Sequence, residues 1–159
     1  MDKPLSASAQ KVQDALSELG FGLRVVELPA STRTAPEAAQ AVGCQVGQIV
    51  KSLIFRALKS DRPILVVASG SNRVNEGVIA RQIGEPLGKA DASFVRERTG
   101  FVIGGVPPVG HLEKIETFID EDLMQYSQIW AAAGTPQAVF ELIPENLVRM
   151  TDGKLIKIT

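Results

Sequence analysis

The chain has 159 residues, a length that suits one domain, and we expect residues 1–159 to form it. Its 17 basic and 18 acidic side chains give a net charge of −1. This balance excludes a strongly basic coat for non-specific nucleic-acid binding, but it allows a local basic patch. A single Cys excludes an internal disulfide, and a single His excludes a His-rich zinc site.

The N-terminal region shows no targeting pattern. Charges are interspersed through residues 1–16 and no continuous apolar run follows, so a secretory signal is not expected. No stretch of the chain approaches the roughly 18 uninterrupted apolar residues that a membrane span needs. We therefore expect a cytoplasmic protein with no membrane partner.

The first half of the chain predicts helices and strands in turn. Apolar residues at helical spacing predict a helix over residues 8–19, with Gly20 as its stop. A capping box at Thr34 and Glu37 predicts a second helix that ends at Gly43. Strands are predicted over residues 23–28, 49–58 and 63–69, the last two as a hairpin with a turn at residues 60–63.

The second half of the chain predicts shorter elements. Asn75 and Asp91 are expected to cap helices that run to Ile83 and about Arg98, and Pro144 begins a last short helix. Strands are predicted over residues 101–103, 117–120, 129–133, 139–142 and 154–158. Because long helices do not separate the strands regularly, the pattern predicts an α+β fold rather than a doubly wound parallel sheet. We expect the acidic run at residues 120–122 to begin a short helix rather than to bind a metal.

Lys51 is unusual because it lies inside the apolar strand predicted over residues 49–58. Strand alternation places Lys51 on one face with Ile49 and Leu53. A Lys on an apolar face is costly to bury without an anionic partner, so it could direct its charge at a phosphate or carboxylate of a ligand. The alternative is a Lys on an edge strand that prevents pairing with another chain. The sequence pattern alone favours neither interpretation.

The segment from Thr99 to Lys114 (TGFVIGGVPPVGHLEK) is rich in Gly and Pro, which excludes a regular helix and disfavours a central strand. Glycine lets backbone N–H groups approach a ligand closely, and such donors suit a carbonyl oxygen or an oxyanion. The alternative is a tight loop with only a structural role. A second loop of small residues, 133–136, would ordinarily be a turn but could form the floor of a small pocket.

Cys44 and His111 are the only Cys and His in the chain. They could form a nucleophilic pair, but we expect Cys44 to be a small apolar residue just past a helix end. His111 either lies near a pocket, where it would orient water or a substrate amine, or fixes the loop by a hydrogen bond to the backbone. No P-loop, HExxH, CxxC or GxSxG motif is present, and we expect no metal and no cofactor.

A local basic surface remains compatible with the net charge. Arg33, Lys51 and Arg73 could form a basic mouth, and Lys59 and Arg62 could extend it. The alternative is that these side chains are simply solvated.

Three segments carry a resemblance to a known family. They are residues 34–55 (TAPEAAQAVGCQVGQIVKSLIF), residues 100–111 (GFVIGGVPPVGH) and residues 132–151 (AAGTPQAVFELIPENLVRMT). The chain resembles the YbaK-like aminoacyl-tRNA deacylases, free-standing relatives of the editing domain of bacterial prolyl-tRNA synthetase. The resemblance covers nearly the whole chain in the family's order. It implies a compact, barrel-like mixed sheet with peripheral helices.

The resemblance also implies an activity: trans-editing hydrolysis of the ester between a wrong amino acid and the 3′-terminal adenosine of a tRNA. The expected substrate is tRNA for proline carrying a small wrong amino acid, and prolyl-tRNA synthetase or an elongation factor is the expected protein partner. Such esters are labile, so positioning and carbonyl polarisation could suffice, with water or the substrate 2′-OH as the attacking group. One alternative is a non-catalytic module that binds the tRNA acceptor end or a synthetase. Another is a hydrolase that uses Cys44 and His111 on a small ester.

The family's motifs imply roles for particular residues. Lys51 is expected to contact the terminal adenosine or a nearby phosphate, and the amides of the loop Gly104–Pro108 to hold the ester carbonyl or the ribose. The implied catalytic residues are Lys51, Gly104 and Gly105. The implied substrate-binding residues are Ser52, Val106, Pro107, Pro108, His111, Ala133, Gly134 and Thr135.

Some positions depart from the family's patterns. Ser52 stands where the alanine-selective branch usually has Asn, and Pro107 stands where the cysteine-selective branch commonly has Ser. Residues 28–34 contain none of the aromatic residues that cysteine-type relatives carry at the pocket lip. The identity of the amino acid removed therefore does not follow from the resemblance.

Overall fold

In the computed structural model, which describes residues 4–159, side chains cap four of the five α-helices. Ser6, Thr34, Asn75 and Asp91 each accept a hydrogen bond from a backbone N–H in the first turn. The helices are α1 (Ala7–Glu18), α2 (Ala35–Val42), α3 (Glu76–Ile83), α4 (Ala92–Thr99) and α5 (Pro144–Thr151). The caps at Thr34, Asn75 and Asp91 confirm the predictions, whereas α1 begins at Ala7 and is capped by Ser6.

Eight strands form one mixed sheet. They are β1 (Val25–Glu27), β2 (Ile49–Ala57), β3 (Pro63–Ser69), β4 (Leu87–Lys89), β5 (Glu116–Asp120), β6 (Ile129–Ala132), β7 (Ala138–Leu142) and β8 (Lys154–Ile156). Their order is β1-β7-β6-β2-β3-β5-β8, and β4 pairs with β2 as a branch. The mixed sheet with surrounding helices confirms the predicted α+β class, and β2 and β3 form the predicted hairpin.

One side of β2 has a gap in its pairing. Antiparallel β3 accompanies β2 continuously from Val50 to Arg56. On the other side, β6 pairs only with Ile49 and Val50, and β4 pairs only with Phe55 to Ala57. Among the described residues, no strand pairs with residues 51–54 of β2 on that side, so the sheet is open there.

The strand β3 anchors β2 because β3 is buried along its whole length. One face of the sheet packs Leu65 and Val67 into a core with α1 and β7. The other face packs Ile64 and Val66 against Ile79 of α3. Each fully buried Leu or Ile contributes about 1.5–3 kcal/mol. The core is mainly aliphatic and also buries Phe94, Phe101, Phe118 and Phe140, and it fixes β2 beside its open stretch.

One predicted strand is absent, and one observed strand is not predicted. Residues 101–103, predicted as a strand, form a loop, because the left-handed residues Gly100 (φ +84°) and Gly104 (φ +93°) turn the chain at both ends. The strand β4 is not predicted, because it has three residues and Gly88 at its centre removes any alternation. No helix within residues 4–159 is long and apolar enough to span a membrane.

Candidate functional site

A cleft of about 710 Å³ opens at the gap in the sheet. One wall is the open stretch of β2, residues 51–54, and the ends of β6 and β4 flank it at residues 131–132 and 89–90. The first turns of α2 and the Gly-rich loop at residues 103–106 contribute the other walls. Most of the lining is apolar and much of it is small, which suits an apolar ligand group with a few placed polar contacts.

Every ionisable side chain that lines the cleft is cationic. These side chains are Arg33, Lys51 and Lys89, and no Asp, Glu, His or Cys among residues 4–159 lines the cleft. The charge of Arg73 acts on Lys51 and lowers its pKa, so Arg73 adds to the same positive region. The cleft therefore favours a ligand that carries negative charge.

Part of the predicted basic mouth lies elsewhere. Arg62 pairs with Glu116 and approaches Glu85 at 4.0 Å, and it lines a second depression rather than the cleft. Lys59 is exposed and does not line the cleft. The basic mouth consequently consists of Arg33, Lys51 and Arg73, with Lys89 as a member that the sequence did not indicate.

Lys51 lies on an interior strand of the sheet, but in the stretch that is open on one side, so its position in the sheet does not by itself decide between the two interpretations. Its Nζ donates to the carbonyl oxygen of Asn72 at 2.7 Å. Burial lowers the pKa of Lys51, the charge of Arg73 lowers it further, and Asp120 opposes both effects. Because a neutral carbonyl rather than a carboxylate holds the ammonium, its charge is available to an anionic group of a ligand.

Asp120 fixes the carbonyl that binds Lys51. The side chain of Asp120 is only 1% exposed. Its Oδ2 accepts hydrogen bonds from the N–H of Ser69 at 3.0 Å and from Nδ2 of Asn72 at 2.8 Å. These contacts tie the turn after β3 to the end of β5, so Asp120 positions Asn72 and, through it, Lys51.

The acidic run at residues 120–122 has a structural role. Asp120 caps a short 3-10 helix, Glu121–Gln125, which agrees with the predicted helix start. Within residues 4–159, no group of three or more His, Cys, Asp and Glu side chains could hold a metal ion.

Gly104 brings the Gly-rich loop to the cleft. Its φ of +93° favours glycine, and a Cβ at this position would lie 3.0 Å from Nε of Arg33. The loop and Arg33 are therefore packed against each other at the cleft wall. Val106 follows in the loop and also lines the cleft.

Only some amides of this loop can serve a ligand. Pro107 and Pro108 have no N–H. The N–H of Gly105 donates to the carbonyl of Val102 at 3.0 Å, within the loop itself. Ile103, Gly104 and Val106 line the cleft, and their N–H groups have no backbone acceptor among the described residues. Of these, the N–H groups of Gly104 and Val106 lie within the Gly-rich motif and are suited to a carbonyl oxygen or an oxyanion.

The small-residue loop supports the Gly-rich loop from behind. The N–H of Gly134 donates to the carbonyl of Gly105 at 2.8 Å. A Cβ on Gly105 would lie 2.9 Å from backbone atoms of Gly134 and Thr135. The N–H of Ala133 is also taken, because it donates to Ala138 at 2.8 Å. This loop therefore shapes the site by packing rather than by offering donors.

The structure divides the predicted site residues into two groups. Lys51, Ser52, Gly104 and Val106 line the cleft. The residues outside its lining are Gly105, Pro107, Pro108, His111, Ala133, Gly134 and Thr135.

His111 holds the Gly-rich loop in place. Its Nε2 donates to the carbonyl of Pro107 at 2.7 Å, and its ring meets Phe101 edge to face at 6.4 Å between centroids. Burial lowers the pKa of His111, although the hydrogen bond to Pro107 works in the opposite direction. The contacts favour the loop-fixing interpretation over a direct role with substrate.

The lowered pKa of His111 predicts a pH-dependent stability. Because burial disfavours the charged imidazole, the contribution of His111 is present above the unfolded pKa of about 6.5 and is lost as the pH falls below it. We expect the free energy of unfolding to decrease between pH 7.5 and 5.5 more steeply in the wild type than in His111→Gln. Urea unfolding of both proteins measures this difference, and identical slopes would show that His111 does not titrate with folding.

Comparison with known proteins identifies the family. The model of a family described as the aminoacyl-tRNA editing domain matches residues 29–150. The chain belongs to the aminoacyl-tRNA editing domain family. This match confirms the resemblance that the three sequence segments carry, and it spans the whole cleft from Thr32 to Val139.

Two curated relatives match most of the chain, and a third matches a little over half of it. YwhH of Bacillus subtilis (strain 168), a protein described as uncharacterized, is 30% identical over 82% of this chain and 83% of its own length. A protein of Enterococcus faecalis (strain ATCC 700802 / V583) is provisionally named Cys-tRNA(Pro)/Cys-tRNA(Cys) deacylase EbsC. It is 28% identical over 79% of this chain and 77% of its own length. Proline–tRNA ligase of Limosilactobacillus fermentum (strain NBRC 3956 / LMG 18251) is 31% identical over 57% of this chain and 16% of the ligase.

Solved structures agree with the editing-family fold. One, provisionally described as a trans-editing enzyme for prolyl-tRNA synthetase, is 52% identical with a TM-score of 0.93, over 98% of this chain and 99% of that one. Another, of the hypothetical protein APE2540, is 30% identical with a TM-score of 0.86, over 93% and 98% of the two chains.

Several residues at this cleft escape prediction from the sequence. Asn72 and Asp120 position Lys51 from a turn and a strand far from it in the chain. Trp130 and Lys89 line the cleft only because β6 and β4 flank the same gap in the sheet. In the sequence, Asp120 stands out only as an acidic residue at the end of an apolar strand. This position does not indicate that its side chain binds Asn72.

Ser52 carries a buried hydroxyl that has no hydrogen-bond partner among the described residues. Removal of an unpaired buried hydroxyl leaves no partner unsatisfied. We therefore expect Ser52→Ala to leave the free energy of unfolding unchanged or to raise it by up to about 1 kcal/mol. A matched control is Ser69→Ala, whose hydroxyl donates to Gly47 at 2.6 Å and whose loss should destabilise the protein. Urea unfolding of both variants tests this, and a clear loss of stability in Ser52→Ala would contradict it.

Cys44 and His111 lie in different packing environments. Cys44 packs beside α2 and Ile49, where its Sγ donates to the carbonyl of Gln45 at 3.3 Å. Burial raises the pKa of the Cys44 thiol, which disfavours the nucleophilic thiolate. Neither residue lines the cleft, so the structure gives no support to a Cys–His hydrolase in this editing-family chain.

Proposed function

We propose that the protein is a trans-editing deacylase that hydrolyses the ester of a mischarged aminoacyl-tRNA. The single observation that carries this proposal is the composition of the cleft. Its ionisable side chains are all cationic, its walls are mostly apolar with several alanines, and it offers amide donors at Gly104 and Val106. A tRNA acceptor end with an aminoacyl ester has the matching parts: phosphates, a small side chain and a carbonyl.

The chemistry needs no protein nucleophile. Water, or water assisted by the substrate 2′-OH, adds to the ester carbonyl carbon, and the developing oxyanion accepts hydrogen bonds from the N–H groups of Gly104 and Val106. The bond between the carbonyl carbon and the ribose oxygen then breaks, and the proton from water passes to that oxygen. Lys51 holds the terminal nucleotide through a phosphate or the ribose, so its contribution is positioning and electrostatic stabilisation.

The walls of the cleft favour a small amino acid. Ala35, Ala38, Ala131 and Ala132 all line it, and these residues present only methyl groups to a bound side chain. The relative provisionally named as a deacylase acts, by its name, on Cys-tRNA(Pro) and Cys-tRNA(Cys). For this chain we propose the same class of substrate, tRNA for proline that carries a small wrong amino acid. The proposal does not specify cysteine as that amino acid.

Action in trans draws support from the relatives of similar length. YwhH and EbsC match along most of their own lengths, whereas the ligases match over a small part of theirs. A net charge of −1 limits autonomous affinity for a whole tRNA. We therefore propose that the protein binds only the acceptor end of the tRNA. It would gain affinity for tRNA by associating with prolyl-tRNA synthetase or an elongation factor in the cytoplasm.

A panel of aminoacylated tRNAs tests the proposal. Purified protein is incubated with tRNA for proline that carries Ala, Ser, Cys, Thr, 2-aminobutyrate or Pro, and the loss of ester is followed over time. We expect faster loss for one or more small wrong amino acids, with Pro spared. Saturable binding of tRNA without acceleration for any member would instead indicate the non-catalytic binding module.

A further inference from the structure

The side chain of Arg33 lies across Gly104 in the wall of the cleft. A Cβ on Gly104 would lie 3.0 Å from Nε, 3.1 Å from Cγ and 3.6 Å from Cδ of Arg33. Glycine at this position therefore makes room for the arginine as well as for the turn. The contact places a cationic side chain beside Gly104, whose N–H is one of the donors suited to an oxyanion.

The guanidinium of Arg33 forms no ion pair and no hydrogen bond with any residue that the structure describes. The hydrogen bond at this residue comes from its backbone N–H, which donates to Oγ of Ser31 at 3.3 Å. Glu37, the acidic residue in the first turn of α2, accepts instead from Oγ1 of Thr34 at 2.9 Å. The exposed head group of Arg33 is thus available to an anion in the cleft.

The backbone around Arg33 is fixed by the same loop that supports the Gly-rich loop. Both the N–H and the Oγ1 of Thr32 donate to the carbonyl of Pro136, at 2.6 and 2.9 Å. The N–H of Gly134, in the same small-residue loop, donates to the carbonyl of Gly105 at 2.8 Å. Directly after Arg33, the side-chain cap of α2 fixes the chain again. The root of the Arg33 side chain and the amides of the Gly-rich loop are therefore held in one framework.

The placement of Arg33 suits a charge that develops during the reaction. An ester carbonyl is neutral, and its oxygen becomes negative when water adds to the carbonyl carbon. A fixed cation beside that oxygen stabilises the transition state more than the bound ester, which raises kcat. A phosphate is charged throughout the reaction, so a cation that only holds a phosphate contributes to binding. The phosphate of the terminal nucleotide is attached on the 5′ side of the ribose, away from the 3′ ester, and Lys51 is the cation proposed for the nucleotide.

We propose that Arg33 is a further catalytic residue, whose guanidinium donates a hydrogen bond to the oxyanion beside Gly104. This inference rests on the proposed function, because it assigns a role within ester hydrolysis. The water oxygen bonds to the carbonyl carbon, and the π electron pair moves to the carbonyl oxygen, where Arg33 and the amides of Gly104 and Val106 hold it. The bond to the ribose oxygen then breaks and the proton of the water passes to that oxygen. Arg33 keeps its own protons throughout.

Two nucleoside analogues without any phosphodiester test this role. One is adenosine that carries alanine through a 3′-amide, which is planar and neutral at the reacting carbon. The other is adenosine esterified at its 3′ oxygen by (1-aminoethyl)phosphonate, which places a tetrahedral, negatively charged centre there. Dissociation constants are measured by titration of the ¹⁵N-labelled full chain. We expect the wild type to bind the phosphonate at least about ten-fold more tightly than the amide.

Arg33→Met keeps an unbranched stem over Gly104 and removes the charge. It should weaken phosphonate binding at least about ten-fold and amide binding less than about two-fold, and it should lower kcat for tRNA for proline that carries alanine by a similar factor. Arg33→Lys keeps the charge and should retain a preference for the phosphonate. The matched control is Arg96→Met, which removes an exposed arginine of α4 outside the cleft and should change none of these values.

A phosphonate affinity that is unchanged in Arg33→Met, an equal loss for both analogues, or no phosphonate binding to the wild type at millimolar concentration would overturn the inference. The binding readout also separates it from the proposed function. If Arg33 determines the preference for the phosphonate and no aminoacyl ester is hydrolysed, the deacylase proposal fails while the anion site at Arg33 stands. If esters are hydrolysed and Arg33→Met keeps the full kcat, the role of Arg33 alone fails.

Discussion

Replacement of Lys51 by Ala should reduce the rate of deacylation at least about ten-fold, a loss of about 1.4 kcal/mol of transition-state stabilisation. Lys51 presents an ammonium that a neutral carbonyl holds in a cleft with no acidic lining residue among residues 4–159. Its charge is thus available to the substrate. Single-turnover loss of ester from mischarged tRNA for proline measures the effect.

The design of this test separates charge from packing. Lys51→Met keeps the aliphatic stem in place and removes the charge, so it should lose as much activity as Lys51→Ala. Lys59→Ala removes an exposed Lys outside the cleft and should leave the rate unchanged. Unchanged kinetics in a folded Lys51→Met protein would remove Lys51 from the mechanism.

Replacement of Gly105 by Ala should lower both stability and activity. The added Cβ would lie 2.9 Å from backbone atoms of Gly134 and Thr135, which cannot move as a side-chain end can. Overpacking of this kind costs about 1–3 kcal/mol. The loop would have to shift, and with it the N–H groups of Gly104 and Val106. Urea unfolding gives the stability, and kcat for deacylation gives the effect on the site.

Gly22→Ala is the matched control for this prediction. A Cβ on Gly22 would meet nothing within 4 Å, so its effect on stability should stay within about 0.5 kcal/mol. An unchanged free energy of unfolding and an unchanged kcat in Gly105→Ala would contradict the prediction. They would show that packing between the Gly-rich loop and the small-residue loop does not shape the site.

Local signals account for the parts of the fold that the sequence predicts well. Side-chain caps at Thr34, Asn75 and Asp91 act within one turn, and they mark the starts of three helices correctly. The strands β2 and β3 are long and apolar, and a turn joins them directly. By contrast, β4 exists because it pairs with β2 at Phe55 to Ala57, a long-range contact that no local pattern shows.

The site shows the same division between local and long-range signals. Lys51 and the Gly-rich segment stand out as unusual residues for their local context, and Lys51, Gly104 and Val106 do line the cleft. Which amides are free is a question of tertiary hydrogen bonding, and the N–H of Gly105 is already used by Val102. The gap in the pairing of β2 depends on where two other strands end, so the sequence could not indicate it.

A crystal structure with a hydrolysis-resistant analogue tests the central claim most directly. The ligand is an adenosine 5′-monophosphate that carries alanine through a 3′-amide in place of the ester. The account predicts the aminoacyl group in the cleft, its carbonyl within hydrogen-bond distance of the N–H of Gly104 or Val106, and Lys51 beside the nucleotide. A ligand bound in the second depression, lined by Arg62, Thr117 and Lys154, with the cleft empty, would contradict the account.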